Sequence, residues 1–231
     1  MFRPASAISP VNSGWAASVR SWVHATVPQR PPRSGPRRRH GRRDPRARWL
    51  RDPRHERERI LAVQDIVERA AAEHELDPTL INAMIWVESR FDPRAKSPAG
   101  ARGLMQLMPG TAKMMAGQIG LSYEPARLTT DWQYNARLGS AYLQGLVSEF
   151  GRSPLLVAAG YNAGPGRPRR WIEEFGDPRA PGVDPVDWIE AIPFPETQTY
   201  VMRVTESLPN YRARLTGQTE PIRFTEELKR R

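Results

Sequence analysis

From Ile60 onward the chain is cut by Pro and Gly into short segments, and within each segment apolar residues recur at helical spacing. Ile60, Leu61, Val63, Ile66, Val67, Ala70 and Ala71 form one such stripe. Asp77-Pro78 then supplies an N-cap and a first-turn proline for a second helix ending at Val87 or Glu88. Leu80, Ile81, Met84, Ile85 and Val87 give that helix a broad apolar face. The same punctuation predicts helices over 109–118, 132–150, 154–162, 169–175 and 197–215. No segment alternates with period two over five or more residues, so an all-α domain is expected.

Charge divides the chain unevenly. Of the formal +10, residues 1–59 hold 15 Arg against four acids, while the remaining 172 residues carry 20 basic and 21 acidic side chains. The basicity belongs to the N-terminal stretch, and no nucleic-acid partner is expected for the helical domain. Residues 1–55 are Arg- and Pro-rich with few apolar groups to bury, and are expected to be disordered. A tether to an anionic surface is the functional alternative for them. Residues 56–217 then make the helical domain, and 218–231 a polar C-terminal tail. With no cysteine, disulfides, thiolate metal sites and a Cys nucleophile are excluded. No run approaches the roughly 20 apolar residues of a membrane span, and no secretory signal is legible near the start.

Three segments do not read as connectors. Five of the six residues from Ala83 to Glu88 are apolar, and the sixth is a carboxylate at a helix C-terminus. Both the helix dipole and apolar surroundings favour its protonated form, which suits a general acid. A solvated Glu on the polar face is the plainer alternative. In LMQLM, Gln106 is an amide flanked by apolar residues, which calls for a hydrogen-bonding ligand or for backbone partners. Between Ala158 and Trp171, Tyr161-Asn162 end a small-residue helix before a Gly-Pro-Gly turn, either at a cleft or as a buried cap. Further on, Glu196 and Tyr200 lie one helical turn apart and can face the same cleft.

Taken in order, ESRFDPRAKSPAGARGLMQLMPGTA (88–112), NARLGSAYL (135–143), AAGYNAGPGR (158–167) and IPFPETQTYV (192–201) resemble the lytic transglycosylase domain of the soluble lytic transglycosylase (SLT) type. The resemblance implies a helical fold like that of goose-type lysozyme. It implies Glu88 as the single catalytic acid, with Ser97, Met105, Gln106 and Met108 lining the glycan cleft. Tyr161 and Asn162 match the family's Tyr-Asn pair, and Glu196 and Tyr200 fall among the substrate-binding positions. Three positions depart from the pattern: Gly160 where Ala is favoured, Gln198 where Arg is frequent, and Pro168 where a β-branched residue is commoner. Gly160 is expected to loosen its helix.

The implied activity is cleavage of the N-acetylmuramic acid to N-acetylglucosamine bond of peptidoglycan with formation of a 1,6-anhydro ring. It needs neither cofactor nor metal. A lysozyme-type hydrolase and a non-cleaving glycan-binding module of an envelope complex are the alternatives. The resemblance implies peptidoglycan glycan strands as partner, a monomer, and a periplasmic or cell-envelope location.

Overall fold

The computed structural model describes residues 53–219, 221 and 223–229, so all but the last three residues of the Arg/Pro-rich segment lie outside it. Ten helices run in chain order among the described residues. They are α1 (Pro53–Glu73), α2 (Pro78–Ser89), α3 (Pro109–Gln118), α4 (Arg127–Thr130) and α5 (Trp132–Phe150), then α6 (Pro154–Ala163), α7 (Gly166–Phe175), α8 (Pro185–Glu190), α9 (Pro195–Thr216) and α10 (Phe224–Leu228). No strand forms among them. Two isolated bridges, Lys96 with Arg102 and Arg102 with Leu107, fold residues 96–107 into a compact double loop.

Helix starts follow one device. Asp77, Ser153 and Asp184 each accept a hydrogen bond from a first-turn N–H, and each is followed by a proline that fits the first helical position. Asp131 caps α5 in the same way through the Tyr134 N–H at 2.9 Å, without a proline. Replacing such a cap costs about 1 kcal/mol.

The long helix α9 is the keel. It packs along α2 and α6, burying Val201, Val204 and Leu208 against Ile81, Met84, Ile85 and Leu155 in one continuous core. On the other side α5 packs against α1, α3, α4 and α6. Pro209 interrupts the backbone hydrogen bonding of α9 without ending the helix. The segment 218–231 is polar in composition but docked in part. Leu228 is fully buried, its carbonyl accepts from the Ser153 hydroxyl at 3.1 Å, and Glu227 pairs with Arg212.

Helix α2 ends abruptly. Arg90 (φ 54°) and Phe91 (φ 60°) are consecutive non-glycine residues in the left-handed region, a conformation costing about 1–2 kcal/mol each. Phe91 is 1% exposed and packs its ring 6.0 Å from that of Tyr211. That burial offsets the strain and turns the chain away directly after Glu88-Ser89.

Candidate active site

Glu88 stands in the last turn of α2, half-buried beneath α9. Burial pushes its carboxyl up to about 7 from an ordinary 4.5. The Tyr200 hydroxyl offsets part of that rise, and the negative charge of Glu196 adds to it. Desolvation disfavours the ionised form and a second carboxylate disfavours it again. A carboxyl poised near neutrality can hold a proton and can also give it up, which is what one group acting first as acid and then as base requires.

Two tyrosines flank the carboxyl. The Tyr200 hydroxyl is buried and faces Glu88, whose carboxyl it acts on as a hydrogen-bond donor. Tyr161 donates through its hydroxyl to the Met105 carbonyl at 2.8 Å, and its ring lies 5.3 Å from that of Tyr142. Burial raises both phenols above their ordinary range, and the nearby Glu88 charge raises them further, so both remain donors.

The Met105 peptide is itself anchored. Asn135 on α5 accepts the Met105 N–H at 2.9 Å and donates to the Arg102 and Leu128 carbonyls at 2.9 and 3.0 Å. Asn135 is 1% exposed, so this one side chain satisfies three buried backbone groups. The close fit leaves no room at Gly103 (φ 80°), where a Cβ would meet the Leu128 carbonyl at 2.1 Å. Asn135 opens one of the resembling blocks but was not among the expected site residues. Its signal in sequence is a polar residue at a buried helical position, which does not say what it binds.

The expected cleft residues divide into those at the surface and those beneath it. Met105 is fully buried with its sulfur against Gly139, so its side chain supports the site from below and does not line it. Gln106, in the left-handed region at φ 46°, donates its amide N–H groups to the Gly103 and Ala95 carbonyls at 2.8 and 3.2 Å. The backbone-bonded alternative therefore holds for its Nε2, which clamps the double loop. The Ser97 hydroxyl accepts from the Ala101 N–H at 3.0 Å and ties the same loop. Met108, 44% exposed, stands just before α3 and presents its side chain at the surface.

A groove runs along the start of α9 beside the acid, with Glu196, whose charge reaches Glu88, in its wall. It is lined by Asn162, Arg167, Phe194, Pro195, Glu196 and Thr197. The Thr197 hydroxyl donates to the Asn162 side-chain carbonyl at 2.7 Å and locks the end of α6 to α9. Glu196 and Phe194 are exposed, and Tyr200 lies one turn below Glu196. Among the described residues no three His, Asp or Glu side chains are grouped as a metal site.

The transglycosylase SLT domain model matches residues 65–180, which hold Glu88, the double loop, Asn135 and the Tyr161-Asn162 pair. The chain belongs to the SLT domain family. The soluble lytic murein transglycosylase of Escherichia coli K12 is 37% identical over 145 residues, 62% of this chain and 22% of that protein. Among solved structures, the lytic transglycosylase Slt of Pseudomonas aeruginosa, determined as an inactive mutant, aligns with a TM-score of 0.64 and 35% identity over 74% of this chain and 26% of that one. The 70 kDa soluble lytic transglycosylase of Escherichia coli gives 0.63 and 36% over 71% and 26%. The chain thus spans about a quarter of the length of these relatives.

The three departures from the SLT pattern acquire reasons in this fold. Gly160 is buried inside an unbroken α6, and a Cβ there would lie 3.0 Å from Leu146 and 3.1 Å from Phe150 of α5. Its missing side chain closes the α5–α6 approach, whereas the sequence suggests only a loosened helix. Gln198 donates to the Ile189 and Glu190 carbonyls at 3.3 and 3.1 Å and so caps the end of α8. Pro168 sits in the first turn of α7, where its missing N–H is not needed.

Proposed function

We propose that this SLT domain is a peptidoglycan lytic transglycosylase that cuts between N-acetylmuramic acid and N-acetylglucosamine. The observation that carries the reading is Glu88: a carboxyl pushed up to about 7 by burial, within reach of the charge of Glu196, which lines the adjoining groove. The carboxylate whose charge reaches it, Glu196, is solvent-exposed. Such a pairing suits one acid/base plus a binding group better than the acid and nucleophile of a two-carboxylate glycosidase.

In the proposed reaction Glu88 protonates the glycosidic oxygen and the N-acetylglucosamine side leaves. Positive charge developing at C1 of the muramyl ring is stabilised by its own N-acetyl oxygen. Glu88, now a carboxylate, removes the proton from the muramyl C6 hydroxyl, whose oxygen bonds to C1 and closes the 1,6-anhydro ring. No water is consumed and Glu88 ends protonated. Tyr200, kept as a donor, orients the carboxyl, and Tyr161, its hydrogen given to the Met105 carbonyl, holds the wall beside it, while Asn162, Glu196 and Met108 contact the strand. Ser97 and Gln106 hold the loop that forms one wall, with the Gln106 Oε1 still able to accept.

Peptidoglycan as substrate carries the location with it, so the domain is placed in the periplasm or cell envelope. No described helix is long and apolar enough to cross a membrane. Mass spectrometry of products from purified sacculi tests the reading, with wild type beside Glu88→Gln. Anhydromuropeptides from the wild type and none from the variant are expected. Reducing-end products would make it a hydrolase, and binding without soluble product a glycan-gripping module.

A further inference from the structure

Arg167 is the unabsorbed feature of the groove. It is exposed in the first turn of α7, with its guanidinium carbon 4.2 Å from the centre of the Phe194 ring. Arg169, two residues on, is paired through its fork with Glu149, whereas Arg167 makes no ion pair among the described residues. Glu196 lines the same groove and still does not pair with it. Phe194 is held in turn by Trp171, ring to ring at 5.9 Å, and Trp171 is buried. A guanidinium held over a ring without an acid partner keeps N–H donors available, and their fork matches a carboxylate in two-point geometry.

On the lytic transglycosylase reading, the strand in this groove is anionic at intervals. Each muramyl residue carries a 3-O-lactyl arm ending either in its own carboxylate or in a peptide stem with carboxylates of its own. N-acetylglucosamine carries none. We infer that Arg167, exposed in the groove and held over the Phe194 ring, receives a carboxylate borne on the lactyl arm of a bound muramyl residue. The groove thereby distinguishes muramyl strands from uncharged N-acetylglucosamine chains. Asn162 and Glu196 beside it face the hydroxyl and acetamido groups of the same strand.

The test measures Kd by calorimetry on the full chain carrying Glu88→Gln, with and without Arg167→Gln or Arg167→Lys. The probes are stem-bearing strands, the same strands stripped of stems by an amidase, and N-acetylglucosamine oligomers. Arg167→Gln should weaken binding of muramyl strands about tenfold, a loss that shrinks as salt rises. Arg167→Lys should recover part of it, and the oligomers should bind all variants alike. A loss on stem-bearing strands alone assigns the carboxylate to the stem, and a loss that persists after stripping assigns it to the lactyl group. Equal affinity of all variants for every strand would overturn the inference, as would an equal loss on the oligomers. In either case anhydromuropeptide release by the wild type would leave the proposed activity standing. No strand binding by any variant and no anhydromuropeptides from the wild type would remove both.

Discussion

The buried hydroxyl of Tyr200 faces the carboxyl of Glu88, and as a hydrogen-bond donor it offsets part of the rise that burial imposes on the acid. The arrangement sets a neutral phenol donor beside a carboxyl of raised pKa. Tyr200→Phe removes the influence that favours the Glu88 carboxylate. The basic limb of activity should therefore move to higher pH, with stability unchanged or slightly increased. A pH–rate profile of the two proteins checks it, and a limb moving to lower pH would contradict the arrangement.

Glu88→Gln should lower release of soluble muropeptides by roughly 10²–10⁴-fold, the usual worth of a positioned acid, while leaving strand binding intact. Product release and sacculus pull-down, measured side by side, separate chemistry from binding.

The raised pKa of Glu88 also sets a stability gradient. Its folded value of about 7 lies above the ordinary 4.5. The folded protein therefore holds this proton more tightly than the unfolded chain, and the associated stability is complete below pH 4.5. It is lost as pH rises toward 7, where the fold must carry a desolvated carboxylate at a cost of about 1–3 kcal/mol. Glu88→Gln escapes that cost. The variant should match wild type in Tm near pH 4.5 and exceed it at pH 8, as two thermal melts would show.

Asn135→Ala should be among the more destabilising substitutions in the chain, by about 3–5 kcal/mol. It strips the Met105 N–H and the Leu128 carbonyl of the amide that satisfies them and leaves the Arg102 carbonyl with the Leu107 N–H alone. Denaturant unfolding measures it. Asn135→Asp keeps the acceptor for Met105 and loses both donors, so a comparable loss is expected from it.

Gly103 and Gly100 make a matched pair with opposite surroundings. Both lie at positive φ, but a Cβ at Gly100 meets nothing within 4 Å, whereas at Gly103 it meets backbone at 2.1 Å. Gly100→Ala should cost about 1 kcal/mol from conformation alone. Gly103→Ala should cost several kcal/mol and displace the Met105 loop. Similar losses for the two would mean that the Gly103 contact relaxes freely.

Much of the helical framework is legible in the chain because its signals are local. The boundaries of α3 and α5 agree with the punctuation to the residue, since Pro109 and Trp132 start helices and Gln118 and Phe150 end them. The helix over 169–175 begins three residues earlier, as Gly166 and Arg167 take helical geometry once the Gly164-Pro165 turn is packed. The short helices α4, α8 and α10 show no full apolar period in four to six residues, and tertiary contact stabilises them. Among the expected cleft residues, Met105 reads identically to Met108 in sequence. Which of two sulfurs meets solvent depends on Gly139 opposite, and no local pattern carries that.

By itself the sequence determined that the described body is helical, where most helices start and stop, and that a carboxylate closes the apolar face of α2. Those are properties of spacing, capping and side-chain polarity over a few residues. Only the tertiary structure decided what surrounds the carboxylate. Tyr200 and Glu196 arrive from α9 more than a hundred residues later, Tyr161 from α6, and Asn135 from α5 to lock the loop beneath. A pKa depends on burial and on charges nearby in space, and neither exists until those helices pack.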